Sequence, residues 1–254
     1  MPAPNATQRF SDRVDNYVRY RPGYPREILE LLRERCGLTP QSHIADIGFG
    51  TGIFTRMLLE HGNMVFGIEP NQEMREAGEK LLSDFPKFRS VGATAENTTL
   101  GDHSVDFVTA AQAAHWFDRT AARREFSRIL KPDGWVVLIW NERLTEGSPF
   151  LVEYEHLLLE HGTDYADVRH ERTTDAIGIF FAPSPHELRV FRTTQPFDYA
   201  GLEGRVFSSS YIPAPSDPRA EPLRHDLRAL FDRHKANETV AFDYDTKVFF
   251  GKLS

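Results

Sequence analysis

Hydrophobic positions along this chain follow two alternating rhythms. Ile28, Leu29, Leu31 and Leu32 share one face over 25–36, with Pro25 in the first turn and Gly37 at the stop, and this spacing predicts a helix. The run His43–Ile47 is short and apolar, whereas 52–60 has helical spacing and ends at Gly62. Met64–Ile68 is apolar again, and Asn71 is suited to cap a helix reaching Leu82. A weaker strand falls at 88–92 and a buried one at Val105–Ala111. Asp118 can cap a helix leading to Leu130. Lys131, Pro132, Asp133 and Gly134 then form a turn before the apolar run 135–140. Strand and helix alternating at this spacing predict an α/β chain, a parallel sheet with helices on both faces. Strands that are apolar throughout agree, because such sheets are covered on both sides.

Beyond Asn141 the rhythm loosens. Residues 142–187 are helical and irregular, punctuated by Pro183 and Pro185, and are expected to form a cap. A strand is expected over 188–197, a proline-rich loop over 213–218 and a helix over 222–234. The alternation over 239–253 predicts an exposed strand or a hairpin pair, and two late strands would close the sheet's edge. The expected division is a lid and first helix (1–36), a ligand-binding core (37–141), a cap that admits substrate (142–187), and C-terminal strands and helix completing the sheet (188–254).

Composition narrows the picture. The 254 residues, 40% hydrophobic and 26% charged, fit one large domain with a small appendage. The net charge of -7 and the lack of a Lys/Arg cluster predict neither a nucleic-acid nor a membrane-surface partner. A lone cysteine, Cys36, excludes an internal disulfide and a cysteine-based zinc cluster, and fits a reducing, cytoplasmic setting. No pair of His residues, or of His and carboxylate, has a metal-ligand spacing. The first residues lack the apolar core of a signal peptide, and the longest apolar runs are strand-sized, too short to cross a bilayer.

The strongest chemical signal is Ile44-Ala45-Asp46-Ile47-Gly48-Phe49-Gly50-Thr51-Gly52, at the end of the first strand and the start of a helix. Open parallel sheets bind ligands at the carboxyl ends of their strands, where glycines let the backbone come close to a ligand. The dinucleotide fingerprint would put its third small residue at position 53, which is Ile, while the third glycine here is Gly52. Asp46, two residues before Gly48, would repel a pyrophosphate and attract an ammonium group. Glu69 ends the second strand 23 residues after Asp46, about where an acid grips a ribose diol. NAD carries the same diol, so Glu69 alone does not choose the cofactor.

Asp46-Ile47-Gly48-Phe49-Gly50-Thr51-Gly52 followed by Glu69 resembles the motif pair of class I S-adenosylmethionine-dependent methyltransferases. The resemblance covers about residues 40–141. It implies a Rossmann-like, doubly wound, mostly parallel seven-stranded sheet with a small cap. It places Ala95 and Glu96 beside the adenine, with Pro70 following the ribose acid. Gln112, Ala113, Ala114, His115, Trp116 and Phe117 would line the methyl-transfer site, and Leu130 to Gly134 is the family's turn before its fifth strand. The flanks are similar to a trans-aconitate methyltransferase-like subgroup, through Phe10-Ser11, Tyr17, Tyr20-Arg21-Pro22, Tyr24-Pro25, the 208–213 segment and Tyr244-Asp245-Thr246.

The resemblance implies transfer of a methyl group from S-adenosylmethionine to a small molecule. Asp46 is expected on the ammonium side and Arg21 on the methionine carboxylate. Tyr17, Tyr20, Trp116 and Tyr211 are expected in the substrate pocket, and His115 is the candidate base, its ordinary pKa suiting neutral pH. A carboxylate or thiolate nucleophile would need no base. A non-catalytic S-adenosylmethionine-binding module and an NAD-dependent oxidoreductase are the rival readings. No metal is expected, and the chain is expected as a monomer or homodimer.

Overall fold

The computed structural model describes residues 21–163, 165, 177, 179–209 and 211–253. In chain order the first half runs α1 (Glu27–Cys36), β1 (His43–Ile47), α2 (Ile53–Glu60), β2 (Met64–Ile68), α3 (Gln72–Leu81), β3 (Phe88–Val91) and β4 (Val105–Ala111). The second half runs α4 (Arg119–Ile129), β5 (Leu130–Arg143), α5 (Pro149–His161), β6 (His186–Phe197), α6 (Tyr199–Phe207), α7 (Ala220–His234) and β7 (Val240–Gly251).

The seven strands form one sheet in the order β3-β2-β1-β4-β5-β7-β6. β1 pairs in parallel with β2 and β4, β2 with β3, and β4 with β5, while β7 is antiparallel to both its neighbours. The strand order reverses between β1 and β4, the switch point at which such sheets bind ligands.

Local chemistry sets the helix starts. Asn71 accepts a hydrogen bond from the Met74 N–H, and Asp118 accepts from the N–H groups of Thr120 and Ala121. α1 ends at Gly37, whose φ of 71° is the left-handed stop that glycine favours.

Alternate residues of the central strands feed cores on opposite faces of the sheet. Val136, Leu138 and Trp140 join the core around Ala122, Phe126 and Ile129 of α4. Val137 and Ile139 join the core around Ile28 and Leu32 of α1 and Phe54 and Leu58 of α2. A third core gathers α5, α6 and α7 around Phe242 and Tyr244 of β7. The cap therefore draws on helices from both sides of β6.

Three local expectations change. Within 239–253 the single strand β7 (Val240–Gly251) forms, and its pairing with both β5 and β6 leaves no room for a hairpin. α6 was not predicted: its buried Leu202, Val206 and Phe207 lie among glycines that weaken the helical signal. The 131–134 turn is present as an outward bulge within β5, since Leu130 pairs with Val105 and Trp135 with Phe107. No helix among the described residues is long and apolar enough to cross a membrane.

Candidate functional site

A cavity of about 330 Å³ opens at the carboxyl ends of β1, β2 and β4. Eight of the predicted site residues line it: Gly48, Gly50, Glu69, Pro70, Ala95, Glu96, Gln112 and Trp116. Ala113 and Phe117, expected beside the methyl-transfer site, also line it, whereas the wall residues Met74 and Thr94 were not singled out and carry no chemical signal of their own.

Glu69 is the best-positioned of these groups. Its Oε2 accepts the Gly50 N–H at 3.0 Å and its Oε1 accepts the Asn71 N–H at 2.9 Å. The glycine loop and the cap of α3 thus fix the carboxylate from two sides. Burial raises its pKa, and the two backbone bonds oppose that rise. Each oxygen keeps a lone pair for a further donor on the cavity side.

The glycines answer to packing. A Cβ on Gly48 would lie 2.5 Å from the Ala113 Cβ, so the loops after β1 and β4 meet there with space only for hydrogen. A Cβ on Gly52 would lie 2.6 Å from Leu82 Cδ1, and Gly52 does not line the cavity. Both have positive φ, 68° and 86°, a region glycine enters without penalty.

Asp46 also lies apart from the cavity lining. It is 1% exposed, and its two oxygens accept the hydroxyls of Thr55 at 2.6 Å and Thr109 at 2.8 Å. Burial pushes its carboxyl up to about 6, against the pull of both hydroxyls. In this position it ties β1 to α2 and β4 instead of facing a ligand ammonium.

Across the cavity Glu96 accepts the Asp118 N–H at 2.9 Å, joining the loop after β3 to the start of α4. Gln112 has a φ of 62°, rare for a side chain of its kind, and its Nε2 donates to the Asn141 carbonyl at 3.0 Å. Strained backbone of this sort costs about 1–3 kcal/mol and gathers at functional sites.

Five further predicted residues fall outside the lining or outside the described residues. Arg21 turns away and donates to the Ser208 carbonyl at 3.2 Å. Tyr211 belongs to the C-terminal core, its ring centroid 4.8 Å from that of Tyr165. Tyr17 and Tyr20 lie outside the described residues. His115 is not in the lining, but its ring packs 4.5 Å from Trp116 and 5.0 Å from Trp140. That aromatic enclosure lowers its pKa to about 4 even though the residue remains exposed on its outer side, so the imidazole is neutral at pH 7.

Comparison with known proteins agrees with this geometry. Residues 45–138 match the family described as methyltransferase domain. An uncharacterized methyltransferase of Mycobacterium tuberculosis is 37% identical over 134 residues, 53% of this chain and 52% of the relative. A methyltransferase-like protein of Schizosaccharomyces pombe is 34% identical over 135 residues, 53% of this chain and 52% of the relative. The chain spans about half the length of the curated relatives it matches. A solved structure from Anaeromyxobacter dehalogenans, described provisionally as a type II methyltransferase, superimposes with a TM-score of 0.67. It is 25% identical and covers 92% of this chain and 98% of its own. Residues 45–138, which hold the glycine loop and the second-strand acid, thus match a methyltransferase domain, and the strand order and overall fold are those of a solved methyltransferase structure.

Proposed function

We propose that the chain binds S-adenosylmethionine in the β1–β2–β4 cavity and transfers its methyl group to a small molecule. The observation that carries this is Glu69, a buried carboxylate held by two backbone N–H groups at the cavity wall, where a ribose diol would find two acceptors. The remaining walls suit the rest of the cofactor. Ala95 and Glu96 offer a backbone N–H and a carboxylate to the adenine edge, and Pro70, Met74 and Phe117 are apolar cover for its faces. Gly48 and Gly50 bring backbone beside the amino-acid end, and Gln112 and Trp116 face the reacting end.

Bound S-adenosylmethionine would supply a methyl group made electrophilic by its sulfonium. The protein's part is to hold donor and acceptor in line and to keep water out. Gln112 is fixed by Asn141, and Trp116 by its packing with His115, so both present rigid surfaces to a substrate. A base with a pKa of about 4 is poorly matched to proton transfer at neutral pH. His115 then serves to brace Trp116, against which its ring packs.

Calorimetric titration with S-adenosylhomocysteine, with NAD as control, tests the reading. The expected result is binding of the first and none of the second. Glu69→Ala should weaken it by about ten- to a hundredfold, the loss of hydrogen bonds to a charged group. NAD binding without S-adenosylhomocysteine binding would sink the assignment. Release of S-adenosylhomocysteine in the presence of a methyl acceptor separates turnover from binding alone.

A further inference from the structure

The sheet ends in two unlike edge strands. β3, at one end, is four residues long. β6, at the other, runs twelve residues and pairs, among the described residues, with β7 alone. Its register is unbroken from His186 opposite Gly251 to Phe197 opposite Val240, so no bulge turns the edge aside. Its proline, Pro196, stands next to last and leaves the rest of the strand its N–H groups. Proteins blunt such edges by shortness, by a bulge, by a central proline or by exposed unpaired charge. β3 has the first of these protections, whereas β6 is long, regular and free of proline over most of its length.

The side chains of β6 leave the edge open as well. Leu188 and Val190 share one face of the strand, opposite Phe249 and Lys247 of β7, and are 40% and 49% exposed. On the other face Phe191 packs against the core around α1. The charges of β6 are settled within the chain. Glu187 accepts from Arg35 of α1 at 2.6 Å and from Arg189 at 3.2 Å, and Arg192 donates to Asp245 of β7 at 2.6 Å. An edge whose charges are already paired presents little repulsion to another strand.

We propose that this edge joins a second copy of the chain, β6 antiparallel to β6, so that one sheet runs through both copies. A two-fold axis through the sheet sets each residue opposite one on its own face, and the register is named by the residue that meets its own copy. Centring on Val190 places Val190 against Val190, Leu188 against Arg192 and Arg189 against Phe191. The exposed aliphatic side chains are then covered, Leu188 by the stem of an arginine, and a guanidinium meets an aromatic ring. Centring on Arg189 or Arg192 would set like charges face to face. Centring on Leu188 would pair only residues 186–190, and centring on Phe191 would leave Leu188 against Thr194. A second copy thus supplies a strand of equal length with side chains that match. β5 and β7 separate β6 from β4, so the cavity stays outside this interface and the inference stands apart from the cofactor reading.

Sedimentation equilibrium of the full chain from about 1 to 100 μM tests the interface. A reversible dimer is expected. Val190→Lys brings two ammonium groups together at the axis and should raise the dissociation constant at least about tenfold, with an unchanged far-UV dichroism spectrum. Ser83→Lys, just beyond α3 toward the other end of the sheet, adds the same charge and should leave the dimer intact. Val190→Cys, oxidised with diamide, should give a disulfide-linked dimer, because side chains directly opposite bring their Cβ atoms within about 4.5–5.5 Å. Leu188→Cys should not, its copy lying about 14 Å away along the strand. Cys36 is buried, so the parent should not cross-link. A parent that stays monomeric throughout overturns the proposal, as does a dimer that Val190→Lys leaves intact. Cross-linking through Leu188→Cys in place of Val190→Cys overturns the register. If Val190→Lys does not fold, the two cysteine variants carry the comparison, and absence of a link in both overturns the interface.

Discussion

Two regions at the carboxyl end of the sheet treat buried charge in opposite ways. On the glycine-loop side, Asp46 and Glu69 are carboxylates held by neutral donors: hydroxyls satisfy the first and backbone N–H groups the second. On the C-terminal side, the buried guanidinium of Arg143 pairs with the carboxylate of Glu155, and that of Arg205 meets the hydroxyls of Tyr244 and Ser209. Neutral donors and acceptors fix the geometry of an ion without cancelling its charge.

The largest expected effect breaks the C-terminal half. Glu155→Ala strands Arg143 beside Arg205 and should cost about 4 kcal/mol in urea unfolding. A loss under about 1 kcal/mol would mean that water already reaches the pair. Replacing Arg143 and Glu155 together with Met should restore much of the loss, because the uncompensated charge goes with them.

The next effect sharpens the acidic half through pH. The folded-state pKa of Asp46 is raised to about 6, above the ordinary aspartate value in the unfolded chain. Below about pH 4 both states hold the proton; as pH rises toward 6 the unfolded chain releases it first, so folding loses about 3 kcal/mol across that window. Asp46→Asn should remove this slope, making the variant gain on the parent between pH 4 and 7 in denaturation midpoints. Parallel pH profiles for the two proteins would show that Asp46 is not the titrating group.

Gly48→Ala should follow, at about 2 kcal/mol, from its positive φ and the clash with Ala113, with S-adenosylhomocysteine affinity falling alongside stability. An unchanged affinity would separate the loop's packing from its binding role. The smallest effect is Asn71→Ala, about 1 kcal/mol from loss of the α3 cap, read as a shift in thermal midpoint. Its Glu69 contact runs through the backbone N–H and should survive the substitution.

Much of the first half was legible in the chain. β1, β2 and β4 fall where their apolar runs predict, and Asn71 and Asp118 cap the helices they were expected to cap. Glu69 was found because strand, acid and glycine loop stand at fixed separations within some twenty residues. Asp46 carried an equally strong signal, yet the structure gives it to Thr55 and Thr109, residues with no distinguishing pattern. Met74 was missed for the same reason: an apolar wall of a cavity reads like any core residue.

The sequence by itself determined the alternation of strand and helix, the cofactor loop and its second-strand acid. Those features rest on local periodicity and on backbone constraints that single residues impose. Only the tertiary structure decided that β7 enters antiparallel between β5 and β6, and that Arg143, Arg205 and Tyr211 gather in one core. It alone left Arg205 with hydroxyl partners and Glu155 with Arg143. Those outcomes depend on contacts between residues up to about a hundred positions apart, and the burial that gives a charge its consequences exists only once the chain has closed around it.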